Sequence, residues 1–401
     1  MILIFYIFAA LLVWFSFKSF RGGVEYLRFF REELTKLPSG WEPMVTIIAP
    51  CKGVDEGMLA NLDALLGQDL PEYEVVFVID DADDAAAGII EQAWQEAERH
   101  VKLVVAPKAA ASSQKVENLR EGVLHADPNS DVFVFVDSDA RPSPGWLRAL
   151  IAPLRDETIG AATGYRWFIS EEPTLASELR SAWNASIASA LGPNEKSNFT
   201  WGGSMAIRRD TFDRIGMREK WQGTLSDDFA VTRAMRAAGL RIRFVPQALA
   251  ASVESCTFRE LFEFTNRQMK ITRVYMPQLW LMSFFGSGLF NLVMASAILI
   301  AILSKANGVP VWAALATLFL VSFFSVGKAV LRLYAVRLAL PQFGPELRRQ
   351  RFSQYTLWLF TPAIFFANCV AALLSREIVW RGTRYRLASP ERTEVMTEAQ
   401  R

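Results

Sequence analysis

DVFVFVDSDARPSPGW, residues Asp131–Trp146, is the stretch on which the fold turns. Val132 to Val136 alternates β-branched and aromatic side chains without a polar interruption, the mark of a short strand buried on both faces. It stops at Asp137-Ser138-Asp139, and Pro142, Pro144 and Gly145 prevent its continuation. Open parallel sheets bind ligands beyond the carboxyl ends of their strands. Carboxylates at 137 and 139 therefore stand where a divalent cation and a diphosphate would be held. Alone, a D-x-D is more often only the start of a loop, so the flanking sequence has to decide.

Working outward, Met44–Pro50, Tyr73–Asp80 and Val101–Pro107 have the same β-rich character. Helical patterns over Gly57–Gly67, Asp84–Arg99 and Gln114–Ala126 separate these runs. Strands alternating with helices at this spacing predict right-handed βαβ units and a mainly parallel sheet. No G-x-G-x-x-G follows the first strand, where the chain reads Cys51-Lys52-Gly53, which argues against a dinucleotide fingerprint. Further on, Thr163–Phe168, Gly203–Arg208 and Arg241–Pro246 read as strands, and Thr174–Leu191 as an amphipathic helix. Another helix opens at Ser226, an N-cap residue type, with Asp227 and Asp228 at its positive end and Gly239 at its close.

Composition divides the chain. A hydrophobic fraction of 51% and a mean hydropathy of +0.17 coexist with 21% charged residues only if the apolar residues are segregated. A net charge of +1 gives no bulk attraction for nucleic acid, and three scattered cysteines and two histidines suggest neither a disulfide framework nor a histidine metal site. Ile2–Phe17 is apolar and Lys18, Arg21, Arg28 and Arg31 follow, so it reads as a signal anchor with its N-terminus outside and the downstream domain cytoplasmic. Thr257–Tyr275 mixes apolar and cationic residues as an interfacial helix does. Leu279–Leu303, Pro310–Val326 and Tyr355–Leu374 are spanning candidates. Three crossings after the anchor would leave the C-terminus outside, although Arg376, Arg381, Arg384 and Arg386 are basic. Either the charge rule is overridden there or Tyr355–Leu374 is re-entrant. The expected organisation is an anchor over 1–18, a basic juxtamembrane helix over 19–40, a catalytic domain over 41–255, an interfacial helix over 256–278, membrane helices over 279–376 and a basic tail over 377–401.

The charged clusters come in a fixed order: VIDDADD to Asp84, QKVENL at Gln114–Leu119, VDSDA, TWGGSMAIRRD, LSDDF, and then Arg267-Gln268-Met269-Lys270. This order resembles the membrane-bound glycosyltransferase family 2 proteins with a GT-A nucleotide-sugar domain, nearest to the ceramide glucosyltransferase branch with its three acidic motifs and R/Q-x-x-R-W. The resemblance covers nearly the whole chain. It implies an α/β GT-A domain with membrane helices, and an inverting transfer of a sugar, glucose in that branch, from a UDP-sugar to a lipid hydroxyl. It places Asp81 or Asp83 on the uracil or ribose and adds Lys115, Arg267, Lys270 and Arg273 to the donor site. It assigns Asp137 and Asp139 to Mg2+ or Mn2+ with the diphosphate, and Asp228 to the catalytic base. Trp201, Gly202, Gly203 and Asp227 fall at the acceptor end. The last motif departs from the pattern, with Lys270 for arginine and Ile271 for tryptophan; lysine is a point charge without the bidentate fork. The lipid is thereby left open among ceramide, diacylglycerol, a hopanoid and a polyprenyl phosphate. A processive polysaccharide synthase is the other enzymatic reading, and a receptor or scaffold the non-enzymatic one. No nucleic acid and no protein partner are implied.

Overall fold

The computed structural model describes residues 2–36, 40–95, 97, 99–303 and 308–396. Most of the turn expected at Ser304–Gly308 and the end of the expected tail lie outside the described residues. The chain divides into two compact units. One comprises Met1–Arg31, Thr174–Ser189 and Cys256–Ser375; the other comprises Glu32–Pro173, Ala190–Ser255 and Arg376–Arg401.

The second unit is built on strands β1 (Val45–Pro50), β2 (Tyr73–Ile79), β3 (His100–Val105), β4 (Val132–Phe135), β5 (Ile159–Thr163), β6 (Arg166–Ile169), β7 (Met205–Arg208), β8 (Arg241–Phe244) and β9 (Ala250–Val253). A seven-stranded sheet runs β3-β2-β1-β4-β7-β5-β8 and is parallel except for β7, which is antiparallel to both neighbours. Parallel β6 and β9 form a small second sheet. Val132, Phe133, Val134 and Phe135 are all buried, as an apolar run on a central strand requires. Phe135 meets Trp221 edge-on at 5.2 Å, in a core that includes Ile48, Val78, Ile207 and Met235.

The run expected as one strand over Thr163–Phe168 is two strands in different sheets, interrupted at Gly164, where a Cβ would lie 1.9 Å from the carbonyl oxygen of Ala248. The expected basic tail is also corrected. Strands β10 (Glu377–Trp380), β11 (Thr383–Ser389) and β12 (Arg392–Val395) form a three-stranded antiparallel meander within this same unit. Tyr385 and Leu387 face inward from β11, and the Tyr385 hydroxyl accepts the amide N–H of Gln114 at 3.2 Å. Trp380 pairs with Thr383 across a two-residue turn, Arg381-Gly382, with φ of 48° and 78°. Such hairpin turns favour Asn-Gly; a left-handed arginine costs roughly 1–2 kcal/mol.

The other unit is helical. Anchor and juxtamembrane helix are one continuous helix, Ile2–Leu34, because no proline interrupts it and Gly23 permits close approach of Lys328. Phe5, Ala9 and Leu12 pack on Val293, Met294, Ala297, Ala314 and Val321. Helix Leu175–Ala188, expected inside the catalytic domain, clusters here instead: its Trp183 stacks on Phe365 at 4.6 Å. Among the described residues three helices are long and apolar enough to cross a membrane: Ile2–Leu34, Pro277–Leu303 and Val309–Ala339. The candidate Tyr355–Leu374 is not one rod. Arg351–Leu359 and Thr361–Leu374 meet at 56°, since Pro362 cannot continue the preceding helix and starts a new one.

Candidate active site

Asp137 and Asp139 follow β4 and approach two cations from other elements. Lys115, in the first turn of helix Gln114–Gly122, lies 2.7 Å from Asp137 Oδ1 and 3.1 Å from Asp227 Oδ1. Arg166, at the start of β6, spans the D-S-D motif with Nη2 at 2.8 Å from Asp137 Oδ2 and Nη1 at 3.0 Å from Asp139 Oδ2. Its guanidinium also lies over the Trp201 ring, 4.6 Å from the centroid. Lys115 is placed by its helix start: the Ser113 side chain accepts from the Val116 amide and donates to the Leu225 carbonyl. Asp227 is fixed through its backbone, whose carbonyl accepts the indole N–H of buried Trp221 at 3.1 Å. The aromatic core under β4 thus sets the position of a site carboxylate.

Gly202 completes this arrangement. A Cβ there would sit 1.9 Å from Asp227 Oδ2 and 2.8 Å from Lys115 Nζ. The small residue in Trp201-Gly202-Gly203 is therefore required by the ion pair behind it, beyond any turn preference. A Cβ on Gly203 would strike the Trp201 ring at 2.1 Å, so Gly203 lets that ring fold back under Arg166.

Two cations face three carboxylates, those of Asp137, Asp139 and Asp227, which leaves one negative charge in excess. Asp227 is the carboxylate displaced upward, chiefly by burial. Its burial is the largest influence and pushes its carboxyl up to about 6; Lys115 offsets this, while Asp228 and Asp137 add to it. Burial would lift Asp137 as well, but Lys115, Arg166 and Arg381 together hold it below its ordinary value. The two carboxylates share Lys115, yet they move in opposite directions because Asp137 alone has Arg166 as a second counter-ion. Asp228, at the start of helix Asp227–Ala237, accepts from the Phe229 amide at 2.7 Å and from the Ser226 hydroxyl. Thr200 ties the Asp228 carbonyl to the Trp201 loop at 2.8 Å.

The first acidic cluster divides by burial. Asp80 is buried and pairs with Lys52 at 2.8 Å and Lys108 at 3.3 Å, and Asp84 accepts from the Gly53 and Ala86 amides. Asp81 and Asp83, the residues expected on the nucleoside, are exposed, and Lys108 pairs with Asp81 at 3.0 Å. Arg267, Lys270 and Arg273 belong to the helical unit, on helix Phe258–Tyr275, which opens with a Thr257–Glu260 capping box. Arg273 donates to the carbonyls of Ala372 and Leu373 at 2.5 and 3.2 Å and caps a helix end. Arg267 lies 5.7 Å from the Phe264 ring centroid.

Sequence reading missed Arg166, Asp55 and Arg381. Asp55 accepts from the Ser138 hydroxyl at 2.9 Å and pairs with Arg381 at 2.5 Å. A single arginine at the edge of the apolar stretch Arg166–Ile169 was the one available signal for the first of them.

The family model of glycosyl transferase family 21 matches residues 11–393, nearly the whole chain. The chain belongs to glycosyl transferase family 21. A curated relative of this family 21 protein, an N-acetylglucosaminyltransferase of Rhizobium leguminosarum bv. viciae, is 24% identical over 355 residues, covering 82% of this chain and 79% of the relative. Among solved structures, the mannosyltransferase PcManGT from Pyrobaculum calidifontis, in complex with GDP-Man and Mn2+, is 19% identical. It has a TM-score of 0.49 and covers 92% of this chain and 99% of its own. GalNAc-T7 with UDP, GalNAc and Mn2+ is 14% identical, with a TM-score of 0.41 over 55% and 45%. The family 21 chain is thus a glycosyltransferase of mixed α/β, GT-A type with long apolar helices at both ends. The resemblance read from the motifs was to family 2 proteins, nearest to their ceramide glucosyltransferase branch; the matching model is that of family 21.

Proposed function

We propose that this protein transfers a single sugar, glucose in the first instance, from a UDP-sugar to the hydroxyl of a membrane lipid such as ceramide, with inversion, at the cytoplasmic face. The observation that supports this reading most is Lys115 held between Asp137 and Asp227, which joins the second acidic motif to the third in one cluster. Asp137 and Asp139 would hold Mg2+ or Mn2+. Asp139 Oδ1 is buried without a hydrogen-bond partner and so has a lone pair to offer. Among the described residues no cluster of three or more carboxylate, histidine or cysteine groups suits a metal; a cation here would take one or two carboxylates and complete its shell with phosphates. Such a cation supplies charge neutralisation of the leaving diphosphate. Lys115 and Arg166 orient the carboxylates, and Asp228 takes the proton from the acceptor hydroxyl as it attacks the anomeric carbon. Asp81 and Asp83 meet the nucleoside, Arg267 and Lys270 the donor, and Trp201, Gly202 and Gly203 the acceptor.

The deciding experiment is mass spectrometry of lipids from membranes containing the protein, supplied separately with UDP-glucose, UDP-galactose and UDP-N-acetylglucosamine. The third donor is included because of the relative's activity. A lipid carrying one added hexose supports the proposal; chains of several sugars would favour a processive synthase, and no product with any donor would sink it.

Parity supports one membrane topology. The chain leaves the α/β unit after Ser255 and rejoins it at Arg376, so an even number of crossings separates these points. Pro277–Leu303 and Val309–Ala339 supply two, and the bent pair Arg351–Leu359 and Thr361–Leu374 is then re-entrant. The basic C-terminal segment lies on the inner face, in agreement with the positive-inside rule. Cysteines placed at exposed Glu157 and Arg392 are expected to react with an impermeant maleimide from the same side of sealed vesicles, the native cysteines being buried. Labelling from opposite sides would refute the re-entrant assignment.

A further inference from the structure

The hairpin of β10 and β11 touches the α/β unit at two places that both border the donor site. Tyr385 meets the amide of Gln114, the residue before Lys115. Arg381, at the hairpin tip, pairs through Nη2 with Asp55 Oδ1, and Asp55 Oδ2 accepts from Ser138, the central residue of D-S-D. Asp55 is thus a two-sided connector, its side chain 10% exposed, while that of Arg381 remains 41% exposed. A guanidinium has five N–H donors in a planar fork, and the Asp55 contact engages only one of its terminal nitrogens. The tip also holds arginine where a left-handed backbone favours asparagine or glycine, so the side chain is kept there against local preference.

We propose that Arg381 is a donor-binding residue that contacts the diphosphate of the nucleotide sugar, and that the β10–β12 sheet carries it to the rim of the D-S-D motif. This rests on the donor reading above and extends it to a segment outside the acidic motifs. Asp55 is the positioning residue: it orients one edge of the guanidinium and leaves the other for phosphate oxygens, which Arg binds through paired hydrogen bonds and Lys does not.

The test is calorimetric titration of the full-length protein in nanodiscs with UDP and with UMP, each in the presence of Mn2+. The wild type is expected to prefer UDP. Arg381→Ala is expected to weaken UDP by about tenfold or more while changing UMP by less than about twofold, because the nucleoside and its first phosphate are held elsewhere. Arg381→Lys keeps the charge at the tip and is expected to fall between the two, which also covers failure of the alanine variant to fold. Unchanged UDP affinity in Arg381→Ala would overturn the assignment. A parallel loss of UDP and UMP would identify a purely structural residue and overturn it equally. A wild-type protein that binds neither nucleotide would refute the donor reading itself, and the assignment with it.

Discussion

Asp228→Asn is expected to lower kcat by about 10^3-fold, within the range that removal of a general base commonly costs, while UDP affinity stays within about twofold. Asparagine keeps the shape and can still accept from the Phe229 amide and the Ser226 hydroxyl, so the start of helix Asp227–Ala237 should survive. What it cannot do is take a proton. Full activity in this variant would remove Asp228 from the mechanism. Asp227→Asn should behave differently. The Asp227 carboxyl lies at about 6 against an ordinary 3.8, so the folded chain gains from holding that proton below pH 3.8 and loses the gain as pH rises through about 6. The difference is at most about 3 kcal/mol. Thermal unfolding measured from pH 4 to pH 8 should therefore be flatter in Asp227→Asn than in the wild type. The wild-type donor kcat/KM should fall as pH drops through about 6, where Lys115 loses one of its two carboxylates. An unchanged acid limb in Asp227→Asn would assign that limb to another group.

Gly202→Ala should be nearly as damaging as loss of the base. The added methyl would overlap Asp227 Oδ2 and crowd Lys115 Nζ. Neither can retreat easily: the Asp227 side chain is 4% exposed and its backbone is pinned by Trp221. Overpacking of this kind costs typically 1–3 kcal/mol. Here the strain falls on the pair that orders the D-S-D motif, so activity is expected to drop at least about 100-fold, with the thermal midpoint lowered by roughly 5 °C. Gly145→Ala, where a Cβ meets nothing within 4 Å, is the control and should leave both unchanged. Equal behaviour of the two variants would show that the contact at 202 is relieved at no cost.

The elements around Asp137 were legible because a buried parallel strand must be apolar throughout and must end in something else, and that contrast survives in one dimension. The same holds for Ser226 as a helix start, and for the small residues beside Trp201. The counter-ions of these carboxylates were harder to find. Arg166 reaches Asp137 from 29 positions away and Arg381 reaches Asp55 from 326, and neither lies in an acidic motif or shows any periodicity. The C-terminal meander was read as a tail because arginines dominate it. The alternation of Arg384, Tyr385, Arg386 and Leu387, outward and inward in turn, was the strand signal that charge obscured. Pro362 was visible, but whether a proline kinks a span or turns it back depends on which side the following strands must reach.

The meander follows the helical segments in the chain. Gln114 meets Tyr385 across 271 positions, an interval that takes tens of seconds to synthesise. Both long apolar helices and the bent pair lie within that interval. The α/β unit therefore cannot complete this contact until those helices have been synthesised.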